Sequence, residues 1–307
     1  MHSHMHFILA YAILFYLLGS TCYASDTSTD IHEVVDGVYV RLGQTGVGFV
    51  DQDIANIGFI VGEQCVAVID TGGSVAEGET LKKSIARFTD TPICYVINTH
   101  VHPDHILGNQ AFKSRTVKFI GHHRLPRAMA LLGDTYIQRA SEYNDSVSVD
   151  MIIPPDVTIS ETLDLDLGNR SIRITAHAVA HTDSDLSIYD EASSTLWLSD
   201  LLFINHIPVL DGSLAGWIEE IQQLKTINAK YAIAGHGPDL SHWPQAATDM
   251  ERYLKLIQAE TRDWILNDGD LINAPENIGL SEKHRWQLFE HYHKRNVITA
   301  YTEIEWE

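Results

Sequence analysis

The sequence has 307 residues, of which 45% are hydrophobic, so it can form one large domain or two small ones around a buried core. Its formal net charge of −20 at pH 7 repels phosphate backbones. Proteins that process nucleic acid are therefore disfavoured, no nucleic-acid partner is expected, and a small-molecule substrate is the better expectation.

The first 24 residues have the pattern of a signal peptide. An apolar run from Phe7 to Gly19 precedes small residues at Cys22 and Ala24, where a signal peptidase would cut. The run has thirteen residues, fewer than the roughly 20 that span a bilayer. We therefore expect no stable membrane anchor, a mature chain that begins at Ser25, and a periplasmic or secreted location.

Apolar runs alternate with amphipathic stretches along the rest of the chain, which predicts an α/β architecture. Two similar halves indicate a sandwich with helices outside, spanning residues 31–265, and residues 266–307 are predicted to form a C-terminal helical extension. The predicted strands lie at 34–42, 56–61, 65–70, 93–99, 116–121, 162–167, 171–176, 186–190, 195–199 and 231–234, and the predicted helices at 75–88, 125–143, 214–227, 246–266 and 282–296.

Two cysteines, Cys65 and Cys94, remain after the signal peptide, each near the start of a predicted buried strand. They can be inert core thiols. In an exported chain they can also form a disulfide between neighbouring strands, but the sequence does not supply the Cα separation that a disulfide requires. Both alternatives stay open at this point.

The motif HVHPDH places His100, His102, Asp104 and His105 in one strand-to-helix loop. Imidazole nitrogens and one carboxylate suit Zn²⁺ and tolerate Fe²⁺ or Mn²⁺. His100 and His102 alternate along the chain and can point to the same side, which leaves Asp104 and His105 for a second ion. The motif therefore predicts a metal site.

Further ligands are expected at other strand ends, because four residues cannot complete two metal sites. His181, Asp200 and His236 each follow an apolar strand and stand beside turn residues. A single histidine in such a place is more often a packed or surface residue. Together with the HVHPDH motif, however, the three residues complete a set of metal ligands.

The motif HVHPDH followed by His181, Asp200 and His236 resembles the metallo-β-lactamase superfamily, as does Asp70 in VIDTGGS. The resemblance implies a four-layer αβ/βα sandwich with two zinc ions per chain, although iron also fits the donor types. Ala180 and Ser184 depart from it, since glycines are common there. The resemblance implies that one ion is bound by His100, His102 and His181 and that a second ion is bound by Asp104, His105 and His236. It also implies that Asp200 bridges the two ions and that Asp70 is a buried residue that supports the ligand loop.

The resemblance implies hydrolysis of an ester, thioester, lactone or lactam bond through a metal-bound hydroxide. Asp104 is the predicted catalytic residue, because it would stand beside that hydroxide and orient it or relay its proton. Asp200 is similar to the carboxylate of the glyoxalase and lactonase branches, whereas true β-lactamases have Cys or Ser there. Lactam cleavage is therefore not the first expectation.

Substrate contacts are expected from loops that border the metal site. The candidates are Phe49 in the loop at 46–56, and Asn205 and His206 shortly after Asp200. For the last two, an exposed turn before Pro208 is an equally good interpretation.

Within the superfamily, the segment ICYVINTHVHPDHILGN and the EIEWE end are similar to periplasmic hydrolases of quinoprotein dehydrogenase systems. This similarity makes a periplasmic dehydrogenase a candidate partner but defines no substrate. Two alternatives to a zinc hydrolase stay open: a mononuclear iron persulfide dioxygenase, and a non-catalytic metal-binding accessory protein of such a dehydrogenase system. A diiron flavoprotein is disfavoured, because His102 stands where those proteins have Glu.

Overall fold

Two β-sheets form the centre of the computed structural model, which describes residues 31–48, 53–143 and 147–307. The predicted signal peptide, residues 1–24, and Phe49 lie outside the described residues. The first sheet contains, in spatial order, β1 (Ile31–Val35), β2 (Val38–Arg41), β3 (Ile57–Val61), β4 (Val66–Ile69), β5 (Ile93–Ile97), β6 (Lys118–His122) and β7 (Val157–Ile159).

The second sheet has six strands and a mixed topology. Its β11 pairs in parallel with β12, and the other neighbours are antiparallel. The strands are β8 (Thr162–Asp166), β9 (Ser171–Ala176), β10 (Leu186–Asp190), β11 (Thr195–Phe203), β12 (Tyr231–His236) and β13 (Ser241–His242), in the spatial order β13, β12, β11, β10, β9, β8.

The inner faces of the two sheets pack against each other in one apolar cluster that includes Ile69 and Ile97 from the first sheet and Ile188 and Trp197 from the second. Helices cover both outer faces. They are α1 (Val75–Phe88), α2 (Pro103–Ile106) and α3 (Leu125–Ser141) beside the first sheet, and α4 (Leu214–Leu224), α5 (Thr248–Leu266) and α6 (Phe289–Ile304) beside the second. The predicted four-layer αβ/βα sandwich is confirmed.

The structure differs from the predicted elements at several places, and the short strands β7 and β13 were not predicted. The predicted strand 34–42 is two strands, because Gly37 turns the chain with a φ of 66°. The strand predicted at 195–199 continues to Phe203, and the last helix begins at Phe289 instead of residue 282, after Leu288 adopts a left-handed conformation. Each difference reflects a local backbone or tertiary feature that apolar periodicity does not contain.

The C-terminal residues 266–307 pack onto the same core as the second sheet. Trp286, Phe289 and Val297 belong to the apolar cluster that contains β11 and α4. The buried side chain of Asn296 donates to the carbonyl of Pro208 at 2.7 Å and accepts from the backbone N–H of Leu210 at 3.0 Å. Helix α6 therefore holds the loop between β11 and α4.

A disulfide joins Cys65 to Cys94, with a Cα separation of 5.5 Å. Cys65 immediately precedes β4 and Cys94 lies in β5, which pairs with β4 in parallel. Of the two alternatives that the sequence left open, the structure has the disulfide. No helix among the described residues is long and apolar enough to cross a membrane.

Replacing both cysteines with serine is expected to lower the free energy of unfolding by roughly 3 to 4 kcal/mol, because the bond closes a loop over 29 residues and restricts the unfolded chain. Denaturant titration of the oxidised protein and of the double variant Cys65→Ser/Cys94→Ser measures the difference. A reductant should shift the midpoint of the parent protein and leave that of the double variant unchanged. Equal midpoints for the parent with and without reductant would contradict the assignment.

Candidate metal centre

The predicted ligands converge at one end of the two sheets. His100 and His102 lie in the loop after β5, and Asp104 and His105 lie in the short helix α2, which begins at Pro103, whose fixed φ suits a first helical position. Three other elements complete the cluster: His181 lies in the loop between β9 and β10, Asp200 lies within β11, and His236 ends β12.

Asp200 is a charged residue in a strand whose nine residues are all buried. An unpaired buried carboxylate would be strongly destabilising, so its presence indicates a compensating positive group. Ser199 precedes it with a φ of 48°, a conformation that non-glycine residues rarely adopt. The strand thus departs from regular geometry where it delivers Asp200.

The structure brings all seven predicted ligands into two adjacent groups. The ligand atoms in each group lie within 4.8 Å of one another. The first group contains His100, His102, His181 and Asp200, and the second contains Asp104, His105 and His236.

Asp200 faces both groups. Its Oδ2 lies 3.3 Å from Nε2 of His181 in the first group and 3.5 Å from Nε2 of His236 in the second, while its Oδ1 lies 3.2 Å from Nε2 of His105. Within the second group, Oδ2 of Asp104 is 3.4 Å from Nε2 of both His105 and His236. This arrangement suits a carboxylate shared between two cations.

Several buried side-chain atoms at the centre of the cluster, all of types that bind metals, have no hydrogen-bond partner among the described residues. They are Nε2 of His100, Nε2 of His105 and Oδ1 of Asp200. His105 and Asp200 are close enough for contact but lack hydrogen-bond geometry. Since buried polar atoms are normally paired, and since imidazole and carboxylate are the donors that zinc takes, the cluster fits a metal centre.

The far nitrogens of the histidines bind other protein groups, which orients the near nitrogens toward the centre. Nδ1 of His181 is 2.7 Å from the carbonyl oxygen of Val209, and Nδ1 of His236 is 3.1 Å from that of Ile54. His102 uses its Nε2 to reach the carboxylate of Asp211 at 2.9 Å. Such outer contacts are characteristic of histidines that bind metals.

Asp70 lies fully buried beneath the cluster, directly after β4. Its carboxylate accepts from the backbone N–H of Thr99 at 2.8 Å and from the hydroxyl of Ser199 at 3.1 Å, and it lies 2.8 Å from Nδ1 of His105. One carboxylate therefore links the loop after β5, strand β11 and a predicted ligand.

The electrostatics of the cluster attract positive charge. Burial disfavours ionisation of Asp200, but His236, His105 and His100 outweigh it and hold its pKa well below the usual range. The pKa of Asp104 is likewise held well below its usual range, since the adjacent His105 outweighs burial. Two ionised carboxylates in a buried site favour the binding of cations.

The cluster opens into a cavity of about 240 Å³. Asp104, Asp200 and His236 line it from below. Its other walls come from five segments and include Val47, Gly48, Ile54, His102, Pro103, Tyr136, Arg139, His206, Val209, Asp211, Tyr292 and Arg295. A cavity of this size suits a small-molecule substrate.

The three residues predicted to contact the substrate do not lie together in the structure. His206 lines the cavity, with its ring centroid 5.1 Å from that of His236. Burial lowers the pKa of His206 to about 4, so the ring is neutral at pH 7. Asn205 lines a neighbouring cavity of about 210 Å³, and Phe49 lies outside the described residues.

Sequence reasoning missed Tyr136 and Arg139 on α3, Asp211 in the loop before α4, and Tyr292 and Arg295 on α6. These residues reach the cavity through tertiary packing, and no local motif marks them. An exposed polar residue on an amphipathic helix is a weak signal, because most such residues face only solvent.

Comparison with known proteins gives consistent matches to one family. The family model described as Metallo-beta-lactamase superfamily matches residues 50–236. The linear primary-alkylsulfatase of a Pseudomonas species is 34% identical over 71 residues, which are 23% of this chain and only 13% of that protein.

Two solved structures show the same fold. The metallo-beta-lactamase from Pontibacter korlensis is 18% identical, with a TM-score of 0.60 over 74% of this chain and 98% of that one. The stereoselective inverting sec-alkylsulfatase Pisa1 from Pseudomonas sp. is 14% identical, with a TM-score of 0.70 over 89% of this chain. The chain covers half of that sulfatase's length, 50%.

Proposed function

Since the chain belongs to the metallo-beta-lactamase superfamily of metal-dependent hydrolases, we propose that it is an exported enzyme with two zinc ions that hydrolyses an ester, thioester, lactone or lactam bond of a small molecule. The observation that carries the proposal is the pair of ligand groups that face Asp200 at the floor of one small cavity.

The first ion would be held by His100, His102 and His181, the second by Asp104, His105 and His236, and Asp200 would contact both. Zinc bound there would supply a Lewis acid for the substrate carbonyl and would lower the pKa of a coordinated water toward 7. Three protein ligands around an ion are typical of catalytic sites, which leave a position open for water or substrate.

Asp104 is the residue that we assign to water orientation. Its side chain lines the cavity, remains ionised and lies beside both His105 and His236. A carboxylate in that position accepts a hydrogen bond from a water molecule in the cavity and can take its proton during attack. His206 is neutral and lies beside His236, where its ring can contact the leaving group.

The second ligand group favours a dinuclear zinc hydrolase over a mononuclear iron persulfide dioxygenase, because a single ion would leave the donors of Asp104, His105 and His236 without a partner cation. The open cavity above the ligands favours an enzyme over a non-catalytic accessory protein, which needs no space for a substrate. Metal analysis together with oxygen uptake in the presence of a persulfide separates the three cases.

Sulfate-ester hydrolysis is a second candidate activity. It is supported by the 34% identity to the primary-alkylsulfatase over 71 residues and by the fold shared with the sec-alkylsulfatase. Release of inorganic sulfate from linear and secondary alkyl sulfates distinguishes this activity from cleavage of a carbonyl bond.

The proposed function is tested with a panel of lactones, thioesters, carboxylic esters and β-lactams. We expect turnover of at least one carbonyl class by the metal-loaded mature chain, abolition of turnover by a chelator, and recovery on addition of Zn²⁺. Turnover that survives complete metal removal would refute the proposal.

Acidification is expected to weaken metal binding to the group of Asp104, His105 and His236 more steeply than binding to the other group. Burial lowers the pKa of His236, but Asp200 and Asp104 outweigh it and raise the pKa to about 9. A histidine must lose its proton to bind a metal, so affinity rises as the pH approaches that value and falls as protons return. In the other group, burial lowers the pKa of His181 to about 4, so this ligand is already neutral at pH 7.

Competition with a chromophoric chelator, between about pH 6 and about pH 9, measures the two affinities separately. We expect two binding steps. The weaker step, which belongs to the group that contains His236, should depend more strongly on pH, and His236→Ala should abolish it. If the affinities of both binding steps changed equally with pH, His236 would not be the protonated ligand that distinguishes the two groups.

The disulfide between Cys65 and Cys94 supports export, because such bonds persist in oxidising compartments. Intact-mass measurement on exported protein tests the location, and a mass that retains residues 1–24 would contradict it. A periplasmic quinoprotein dehydrogenase is the partner that we propose to test by co-purification from the periplasm.

A further inference from the structure

Two arginines line the cavity above the ligand cluster. Arg139 comes from α3 and Arg295 from α6, and each helix also contributes a tyrosine to the cavity lining, Tyr136 and Tyr292. The chain has 41 acidic and 21 basic residues, so two guanidinium groups in one small cavity are unusual in this sequence. Their position suggests a role in the cavity.

Both arginines influence the ionisation of one cavity-lining side chain, Tyr136. Burial raises the pKa of the Tyr136 hydroxyl, Asp211 and Asp104 raise it further, and Arg295 and Arg139 oppose them. The two positive charges from α3 and α6 therefore meet at the same cavity.

Arg295 is held in place by an ion pair with Asp211. The other oxygen of that carboxylate lies 2.9 Å from Nε2 of His102, one of the predicted ligands. The side chain of Arg295 is nevertheless 55% exposed, so its guanidinium has donors available beyond the contact with Asp211. An anchored and accessible guanidinium is suited to bind a ligand.

The charge of the loaded cavity favours anions. Asp104, Asp200 and Asp211 are its acidic residues among those described. Two divalent cations would exceed the charge of these three carboxylates, and the two arginines would add to the excess. Val47, Ile54 and Val209 add apolar side chains to the lining of the cavity.

We propose that Arg139 and Arg295 bind a carboxylate of the substrate, so that the preferred substrates are small acidic esters, thioesters or lactones. This inference rests on the proposed hydrolytic function of the same cavity. Arginine suits the task, because its planar guanidinium pairs with carboxylate through two parallel hydrogen bonds.

The binding test compares two acids of equal chain length, glutarate with two carboxylates and valerate with one. Calorimetry on the metal-loaded protein should give an affinity for glutarate about tenfold higher than for valerate, since the extra carboxylate gains charged hydrogen bonds at a partly exposed site. The preference should fall about fivefold in Arg139→Gln and in Arg295→Gln, and Arg139→Lys should retain part of it because the charge remains.

Arg173→Gln is the matched control. Arg173 pairs with Asp164 on the second sheet, its side chain is 50% exposed, and it is not among the described residues that line the cavity. Its replacement should leave the preference for glutarate unchanged. Metal content is measured in every variant, so that loss of an ion after Arg295→Gln, through Asp211 and His102, is not mistaken for loss of the carboxylate site.

The kinetic test compares the mono-4-nitrophenyl ester of glutarate with 4-nitrophenyl valerate. We expect a higher kcat/KM for the acidic ester because its KM is lower, and we expect this difference in KM to become smaller in each glutamine variant. Equal binding of the two acids by the parent protein, or a preference that both variants retain, would overturn the inference while leaving hydrolysis intact. If neither ester is hydrolysed, the proposed function is in doubt, but the calorimetric comparison still decides whether the arginines bind a carboxylate.

Discussion

Replacing Asp200 with serine is expected to reduce the metal content from near two ions per chain toward one and to lower turnover by about 10²-fold or more. Asp200 is the carboxylate that lies within 3.5 Å of histidine nitrogens in both groups, those of His181 and His236. Serine is too short to reach both groups and carries no charge. His100, His102 and His181 would still hold one ion, whereas the second group would lose its shared carboxylate.

Metal analysis after gel filtration and steady-state kinetics measure the effect of Asp200→Ser. Asp164→Ser is a suitable control, because Asp164 is exposed on β8 and pairs with Arg173. Thermal unfolding of both variants checks that each is folded. Two tightly bound ions and ordinary turnover in the Asp200→Ser protein would show that Asp200 is not a bridge and that the site is better described as mononuclear.

Replacing Asp70 with asparagine is expected to weaken metal binding by about 10- to 100-fold, the range typical for contacts behind a metal ligand. Asp70 is not among the described residues that line the cavity above the cluster. It lies 2.8 Å from Nδ1 of His105 and accepts hydrogen bonds from both the backbone N–H and the hydroxyl of Thr99. An amide of similar size keeps one acceptor but removes the charge that orients His105 and makes it more basic.

A chelator competition titration gives the affinity of Asp70→Asn, and Ser199→Ala provides a graded comparison. The Ser199 hydroxyl is one of several donors to Asp70, at 3.1 Å, so its removal should weaken binding much less. An affinity of Asp70→Asn within about twofold of the parent would mean that Asp70 supports only the fold and not the ligand.

The ligand cluster could be predicted from the sequence because its parts are local. HVHPDH places four donors in six positions after an apolar strand, and strand ends on one edge of a sheet meet in space. Of the remaining three ligands, His181 lies in the loop after β9 and His236 ends β12, whereas Asp200 lies inside β11. Periodicity identifies strand ends well, since burial on both faces produces continuous apolar runs.

Strand β11 shows where periodicity fails. The apolar pattern ends at the polar pair Ser199 and Asp200, so the strand was predicted to end at residue 199, yet all residues to Phe203 are buried and in the strand. Both residues contact the ligand cluster or its support, since Asp200 belongs to the first ligand group and the Ser199 hydroxyl donates to Asp70. Local rules of sequence are expected to fail at such functional positions.

The contribution of α6 could not be predicted either. Arg295 and Asn296 reach residues 84 and 88 positions earlier in the chain, Asp211 and Pro208. No local pattern encodes which face of a helix meets which distant loop. The disulfide stayed open for a similar reason, because the Cα separation of Cys65 and Cys94 depends on the parallel pairing of β4 with β5.

The most direct measurement is a titration of the metal-free mature chain with Zn²⁺ while bound metal and hydrolysis of an accepted substrate are recorded together. With seven ligand residues in two groups, activity should be absent without metal and should rise until two ions are bound per chain. Full activity of the metal-free chain, or a plateau of both binding and activity at one ion per chain, would contradict the dinuclear account.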